Sequence, residues 1–278
     1  MALAFARNLQ GQPEGFNSDL HILETEPEAK SISIEATRQF IQTLDLSSFG
    51  NSYKIGIIKE ADKLSSEAKS ALLKTLEEPK DKVIIILLVE NESSLPATIL
   101  SRAQILYFSN VPSAVIYDYL IKVGGANRSL AKDVANLALG RPLAARKLLE
   151  HPEEYKKYLA AAEIWLSLPG LDLNSRLQAL DQIYKDKTWS KQAADAAQDV
   201  IAMAEGLARD LLLLDLGQPE RVQHSALAAA LAQTQKAMGG EGSQPAIIKQ
   251  LKLLAQAREY LAANVNPRLI LEQVVTNI

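Results

Sequence analysis

Two stretches carry residues that could do chemistry on phosphates. In "IGIIKEADKL" (55–64) a short apolar run ends in Lys59, Glu60, Ala61 and Asp62. Acids at the end of a buried strand can hold a divalent cation or orient a water, and a lysine at the first of these positions opposes a cation. In "PATILSRA" (96–103) Arg102 follows Ser101. A guanidinium there could make several charge-assisted hydrogen bonds to phosphate oxygens, or could be an ordinary solvated arginine before an edge strand. Glu77 and Glu78 form a carboxylate pair, but their place before Pro79 reads first as a helix end beside a turn. Lys69 and Lys74 could meet phosphates and read first as a solvated helix face. Asn264, Asn266 and Arg268 suit turn and inter-helix hydrogen bonds, with subunit contacts as the second reading. His21, His151 and His224 have no metal-ligand spacing and read as ordinary surface or interface residues. Cysteine is absent, which excludes disulfides and thiolate metal sites.

The elements that must position these residues fall into two patterns. Over the first 110 residues or so, strand-like and helix-like stretches alternate. Strands are expected at "LHIL" (20–23), "KIGII" (54–58), "VIIILLV" (83–89) and "QILYF" (104–108). The run at 83–89 lacks alternation, as expected of a strand covered on both faces. Helices are expected at 33–44, with Ile34, Thr37, Ile41 and Leu44 on one side, and at 65–78, with Ala68, Ala71, Leu72 and Leu76 on one face. Serines open the second helix and Pro79 ends it. Such alternation implies a parallel α/β sheet. After Val111-Pro112 the pattern becomes helical throughout. Short helices are expected at 112–122, 128–138 and 142–150, punctuated by Gly124-Gly125, Gly140 and His151-Pro152. An alanine- and leucine-rich region follows, including a helix over 247–265 with Ile247, Leu251, Leu254, Leu261 and Val265 as its apolar repeat. Pro169-Gly170, Gly217-Gln218-Pro219 and Gly239-Gly240 separate its helices.

With 278 residues, 47% of them hydrophobic, the chain can build two or three packed cores. Its 30 basic and 33 acidic residues give a net charge of −3, which excludes a polyanion binder working by bulk charge but not a local basic patch. No apolar run reaches the roughly 18–20 residues needed to span a bilayer. The N-terminal "MALAFARNLQ" lacks a basic region before its apolar part, so a cytoplasmic protein is expected.

The stretch "LSSEAKSALLKTLEEPKDKVIIILLVENESSLPATILSRAQIL" (64–106) resembles the sliding-clamp loaders of DNA replication, within the AAA+ ATPase class. Three segments carry the resemblance: "AKSALLKTLEEP", "IIILLVENESSLPATILSR" and "SRA" (101–103), the last where that family has Ser-Arg-Cys. Two C-terminal segments, "GLARDLLLLDLG" (206–217) and "YLAANVNPRLILEQVV" (260–275), resemble the helical collar of the delta-prime type of bacterial DNA polymerase III subunit. The segment "SDLHILETEPEAKSISIEATRQFIQTL" (18–44) also resembles that type.

The resemblance implies an α/β fold followed by all-α structure. A truncated AAA+ sheet domain would occupy 1–111, a helical lid 112–152 and a helical collar for oligomerisation 153–278. It also makes the departures legible. No G-x-x-x-x-G-K-[ST] phosphate loop is present, and "ALAFARNL" (2–9) resembles the helix that would follow it, so the chain is expected to begin just after that loop. "QGQPEGFN" (10–17) stands where many relatives carry a four-cysteine zinc module. Lys59 replaces the aspartate that helps hold Mg²⁺ and is expected to be tolerated at an unused site, or to pair with Glu60 or a neighbour's acid. Glu60 keeps the position of the water-orienting acid. Val89-Glu90-Asn91 replace the phosphate-sensing region, and Leu143 stands where nucleotide-sensing relatives carry an arginine. No cofactor, metal or ATP hydrolysis is therefore expected.

Arg102 is the expected arginine finger, reaching ATP held by a neighbouring subunit, with Ser101 shaping its turn. The implied partners are gamma/tau-type ATPase subunits and a delta-type subunit, and through them the sliding clamp and primed DNA, with no membrane. An alternative is an ATP-binding loader subunit whose N-terminus is missing from this sequence. A third reading is a scaffold that no longer loads clamps.

Overall fold

A computed structural model describes residues 2–11, 19–26, 29, 31–46, 53–78, 80–186, 188, 190–239 and 244–278. Pro79, Gly240 and the part of "QGQPEGFN" beyond Gly11 lie outside the described residues. The chain forms two compact units, Met1–Tyr107 and Phe108–Ile278.

The first unit runs α1 (Ala2–Leu9), β1 (Leu20–Leu23), α2 (Ile34–Asp45), β2 (Lys54–Ile58), α3 (Ser66–Glu77), β3 (Val83–Leu87) and α4 (Ala97–Leu100). The three strands form a parallel sheet in the order β1-β2-β3. Leu23 lies opposite Ile58, and Ile58 opposite Leu87, so the strands end level with one another. Alternation along β2 divides its side chains between two faces. Ile55 and Ile57 pack with Ala6 of α1, whereas Ile58 packs with Phe40, Leu44 and Leu72 of α2 and α3. Every residue of β2 is buried, as a central parallel strand between two helical layers requires. Its glycine has a packing reason: a Cβ on Gly56 would lie 2.6 Å from Phe40 Cζ and 2.9 Å from Leu44 Cδ1.

Capping follows the sequence. Ser33 Oγ accepts from Ala36 N to open α2, and Ser65 Oγ accepts from Ala68 N to open α3. Phe40, absent from the expected apolar side of α2, is buried there, while Ile34 and Ile41 are half-buried. The buried Lys54 donates from Nζ to the carbonyls of Thr43 at 2.7 Å and Leu46 at 2.8 Å, at the carbonyl-rich end of α2.

Two strand expectations need correction. The run 83–89 is a strand only to Leu87, and β3 is half-buried rather than covered, because it is the sheet edge among the described residues. "QILYF" (104–108) forms no strand. Strand preference is realised only when a ladder partner accepts the backbone groups, and none of the described residues provides one. Ile105, Leu106, Tyr107 and Phe108 are exposed. The Tyr107 hydroxyl donates to Glu92 and tethers this extended stretch locally.

The second unit is helical: α5 (Ser113–Lys122), α6 (Arg128–Leu137), α7 (Pro142–Glu150), α8 (Pro152–Ser167), α9 (Leu173–Ile183), α10 (Lys191–Asp215), α11 (Ala228–Ala237), α12 (Gln244–Ala262) and α13 (Pro267–Thr276). Ile116, Leu120, Val134 and Ala145 centre one core over α5–α7. Trp165, Leu180, Ile201, Leu254 and Leu271 belong to a larger one over α8–α13. Tyr158 and Leu159 of α8 pack against both. The helix expected over 247–265 ends at Ala262 because Asn264 turns left-handed at φ 60°. Val265 is accordingly exposed instead of joining the apolar repeat. Asn266 Oδ1 accepts from Arg268 N to open α13, and Arg268 pairs with Asp181 at 2.7 Å and Glu272 at 2.6 Å. These are the turn and inter-helix bonds expected of that segment.

Candidate functional site: strand ends and an exposed arginine

Ligands of open parallel sheets bind outside the carboxyl ends of the strands. Here that region is occupied by the chain's own ion pairs. Lys59 N donates to Leu23 O at 2.8 Å, which continues the β1–β2 ladder by one step. The step sets the next side chains side by side, and Lys59 Nζ lies 2.6 Å from Glu24 Oε2. Lys59 therefore pairs with Glu24, neither of the partners expected for it. Glu60 follows in the left-handed region at φ 52° and ψ 48°, and its carboxylate takes Lys63 Nζ. The hydrogen bond to Glu60 is the largest cause of the raised Lys63 pKa. Asp62 Oδ1 is buried without a partner.

A hard divalent cation needs several anionic or carbonyl oxygens converging on one point. Here an ammonium stands at the first position, and Glu24 and Glu60 each face a lysine. Two like charges about 4 Å apart repel by about 4 kcal/mol at an effective dielectric near 20. The residues present do not fit a Mg²⁺ site. Among the described residues no group of three His, Asp or Glu could hold a metal. Leu143, in the first turn of α7, is exposed.

Arg102 is held differently. The four-residue α4 is anchored by Ile99, which is fully buried, and by Leu95 just before it. Ser101 caps α4, with its amide donating to Ala97 O at 2.9 Å and its hydroxyl to Thr98 O at 3.1 Å. Arg102 Nη1 donates to Thr98 O at 2.8 Å and to Ser101 Oγ at 3.3 Å, and Nη2 lies 2.8 Å from Glu77 Oε1. The side chain retains 36% exposure. The structure thus brings Ser101 and Arg102 together and adds Glu77, which nothing in the local sequence places there.

Three further positions differ from their expected settings. Lys69 is half-buried and donates to Ser94 O at 2.9 Å, fastening α3 to the loop before α4 rather than facing solvent; Lys74 is exposed as expected. His224 is buried rather than at the surface: Nδ1 lies 2.6 Å from Asp210 Oδ2 and Nε2 lies 2.7 Å from the Tyr158 hydroxyl. His21 is half-buried, with burial the largest cause of its lowered pKa, while His151 is exposed between α7 and α8.

A three-layered α/β unit followed by a helical unit has the fold of a truncated AAA+ sheet domain with helical domains after it. A family model described as DNA polymerase III, delta subunit, matches residues 8–112. The Bacillus subtilis DNA polymerase III subunit delta' is 24% identical over 271 residues, covering 97% of this chain and 78% of that protein. The Yersinia pestis subunit delta' is 30% identical over 215 residues, covering 70% of this chain and 63% of that protein. A DNA polymerase III gamma subunit-related protein from Thermotoga maritima shares the fold, with a TM-score of 0.50 at 20% identity over 98% of this chain and 86% of that one. The chain is thus similar, at 24–30% identity, to several DNA polymerase III delta-prime subunits.

Among the described residues no helix is long and apolar enough to cross a membrane.

Proposed function

We propose that this chain is a non-hydrolysing subunit of the DNA polymerase III clamp loader that supplies Arg102 to ATP bound by a neighbouring gamma/tau-type subunit. Residues 1–111 form the degenerate AAA+ domain in this reading, 112–152 the lid and 153–278 the collar that joins the ring. The assembly, which also contains a delta-type subunit, works in the cytoplasm and places the sliding clamp on primed DNA.

One contrast carries the reading. The strand end that would serve this chain's own nucleotide holds an ammonium paired to Glu24, whereas Arg102 is presented at the surface in the turn that follows a helix anchored by Ile99. A positioned guanidinium can stabilise charge developing on a transferring phosphoryl group without any nucleotide of its own, an effect worth about 10³–10⁵ in rate where such fingers act.

The test is a reconstituted loader carrying Arg102→Ala. Clamp- and DNA-stimulated ATP hydrolysis at the served site falls at least about tenfold, with the subunits still assembled. Unchanged hydrolysis and clamp loading would remove the finger assignment.

A further inference from the structure

We infer that Glu77 is a positioning residue for Arg102: its carboxylate, fixed on the last turn of α3, aims the guanidinium for use by a neighbouring subunit. The inference rests on the proposed function and adds a residue to it.

An arginine just beyond the cap of a four-residue helix has no intrinsic reason to hold one direction, because its side chain has several freely rotating bonds. Here the guanidinium is held from two independent elements. Nη1 is taken by Thr98 O and Ser101 Oγ, both of α4 and its cap, and Nη2 by Glu77 Oε1 of α3. The two α4 contacts alone fix one end of the planar group and leave rotation about it. The Glu77 contact, 25 residues away in the chain (102 − 77), removes that freedom.

The platform is rigid. Ala68 and Leu72 of α3 are fully buried against α2 and β2, Ser65 caps the helix, and Lys69 ties it to the loop leading into α4. A guanidinium has five N–H donors. These three contacts use two on Nη1 and one on Nη2, which leaves Nε–H and one Nη2 hydrogen to meet an oxyanion. As an exposed pair, Glu77 and Arg102 contribute little to folding. Their energetic consequence lies in orientation, to which transition-state contacts are sensitive.

The experiment uses the reconstituted loader with wild-type chain, Glu77→Gln, Glu77→Asp, Glu78→Gln, Arg102→Ala and the Glu77→Gln/Arg102→Ala double variant. Glu77→Gln lowers kcat for clamp- and DNA-stimulated ATP hydrolysis by about tenfold and leaves KM for ATP unchanged. Glu77→Asp recovers part of the loss, Glu78→Gln behaves as wild type, and the double variant is no slower than Arg102→Ala alone. A Glu77→Gln loss that multiplies with that of Arg102→Ala, a change confined to KM, or wild-type kcat in Glu77→Gln beside a slow Arg102→Ala overturns the positioning role and leaves the finger standing. Wild-type kcat in Arg102→Ala removes the finger itself, and this inference with it.

Discussion

Lys59 Nζ lies 2.6 Å from Glu24 Oε2 because the β1–β2 register places their backbones on neighbouring strand ends. The pair is substantially exposed, so it contributes at most about 1 kcal/mol to stability. Lys59→Ala is expected to change the unfolding free energy in urea by about 0.5 kcal/mol or less. Lys59→Asp sets a new carboxylate beside Glu24 and Glu60, and destabilises most at low ionic strength. Neither variant confers ATP hydrolysis on the isolated chain, because one restored acid still lacks the converging ligands a divalent ion needs. Steady-state phosphate release is the measurement, and turnover in Lys59→Asp would contradict this account.

Gly56 sits where α2 comes closest to the sheet. Its φ is not in the left-handed region, so the issue is space alone. Gly56→Ala must displace Phe40 or Leu44, both buried, and is expected to cost about 1–3 kcal/mol. Paired with Phe40→Leu, the two penalties fall short of their sum, since the smaller side chain makes room. Denaturant titrations of the single and double variants measure both quantities, and full additivity would show that Phe40 does not resist the added methyl.

Asp210 organises the interior of the helical unit. Its carboxylate accepts from the amides of Gln223 at 2.9 Å and His224 at 2.8 Å and faces His224 Nδ1, while His224 Nε2 meets the Tyr158 hydroxyl. Asp210→Ala strands several buried polar groups at about 1–3 kcal/mol each, so a loss above about 3 kcal/mol is expected in urea unfolding. Burial, and then the charge of Asp210, push the Tyr158 pKa far above its ordinary value of 10.0. With the folded pKa raised, the folded state keeps a proton that the unfolded state releases. The stabilisation is complete below about pH 10 and declines as pH rises beyond it. The difference in stability between wild type and Tyr158→Phe should shrink progressively above pH 10 and be flat from pH 7 to 9. A difference that stays constant above pH 10 would show that Tyr158 ionises equally in both states.

Much of the scaffold is legible in the sequence. The serine at 65 marks a helix start that its hydroxyl does cap, and the apolar run at 54–58 is the buried central strand. The short helices at 113–122, 128–137 and 142–150 fall where glycine and proline punctuate the chain. What misled was propensity without a partner. "QILYF" carries strand-forming residues and makes no strand, since a ladder is a property of two segments and the sequence describes each alone. His224 reads as a surface or interface residue because nothing near it in the chain announces Asp210 or Tyr158.

The sequence by itself determined that Lys59 stands at the end of an apolar strand and that Arg102 follows a short capped turn, because periodicity and turn chemistry are local. Only the tertiary structure decided what those charges meet. Lys59 turns to Glu24 through the register of two parallel strands, and Arg102 to Glu77 through the packing of α3 beside α4. Side-chain partners separated by 35 and 25 positions (59 − 24 and 102 − 77) become neighbours only when the sheet and its helices fix where each backbone runs.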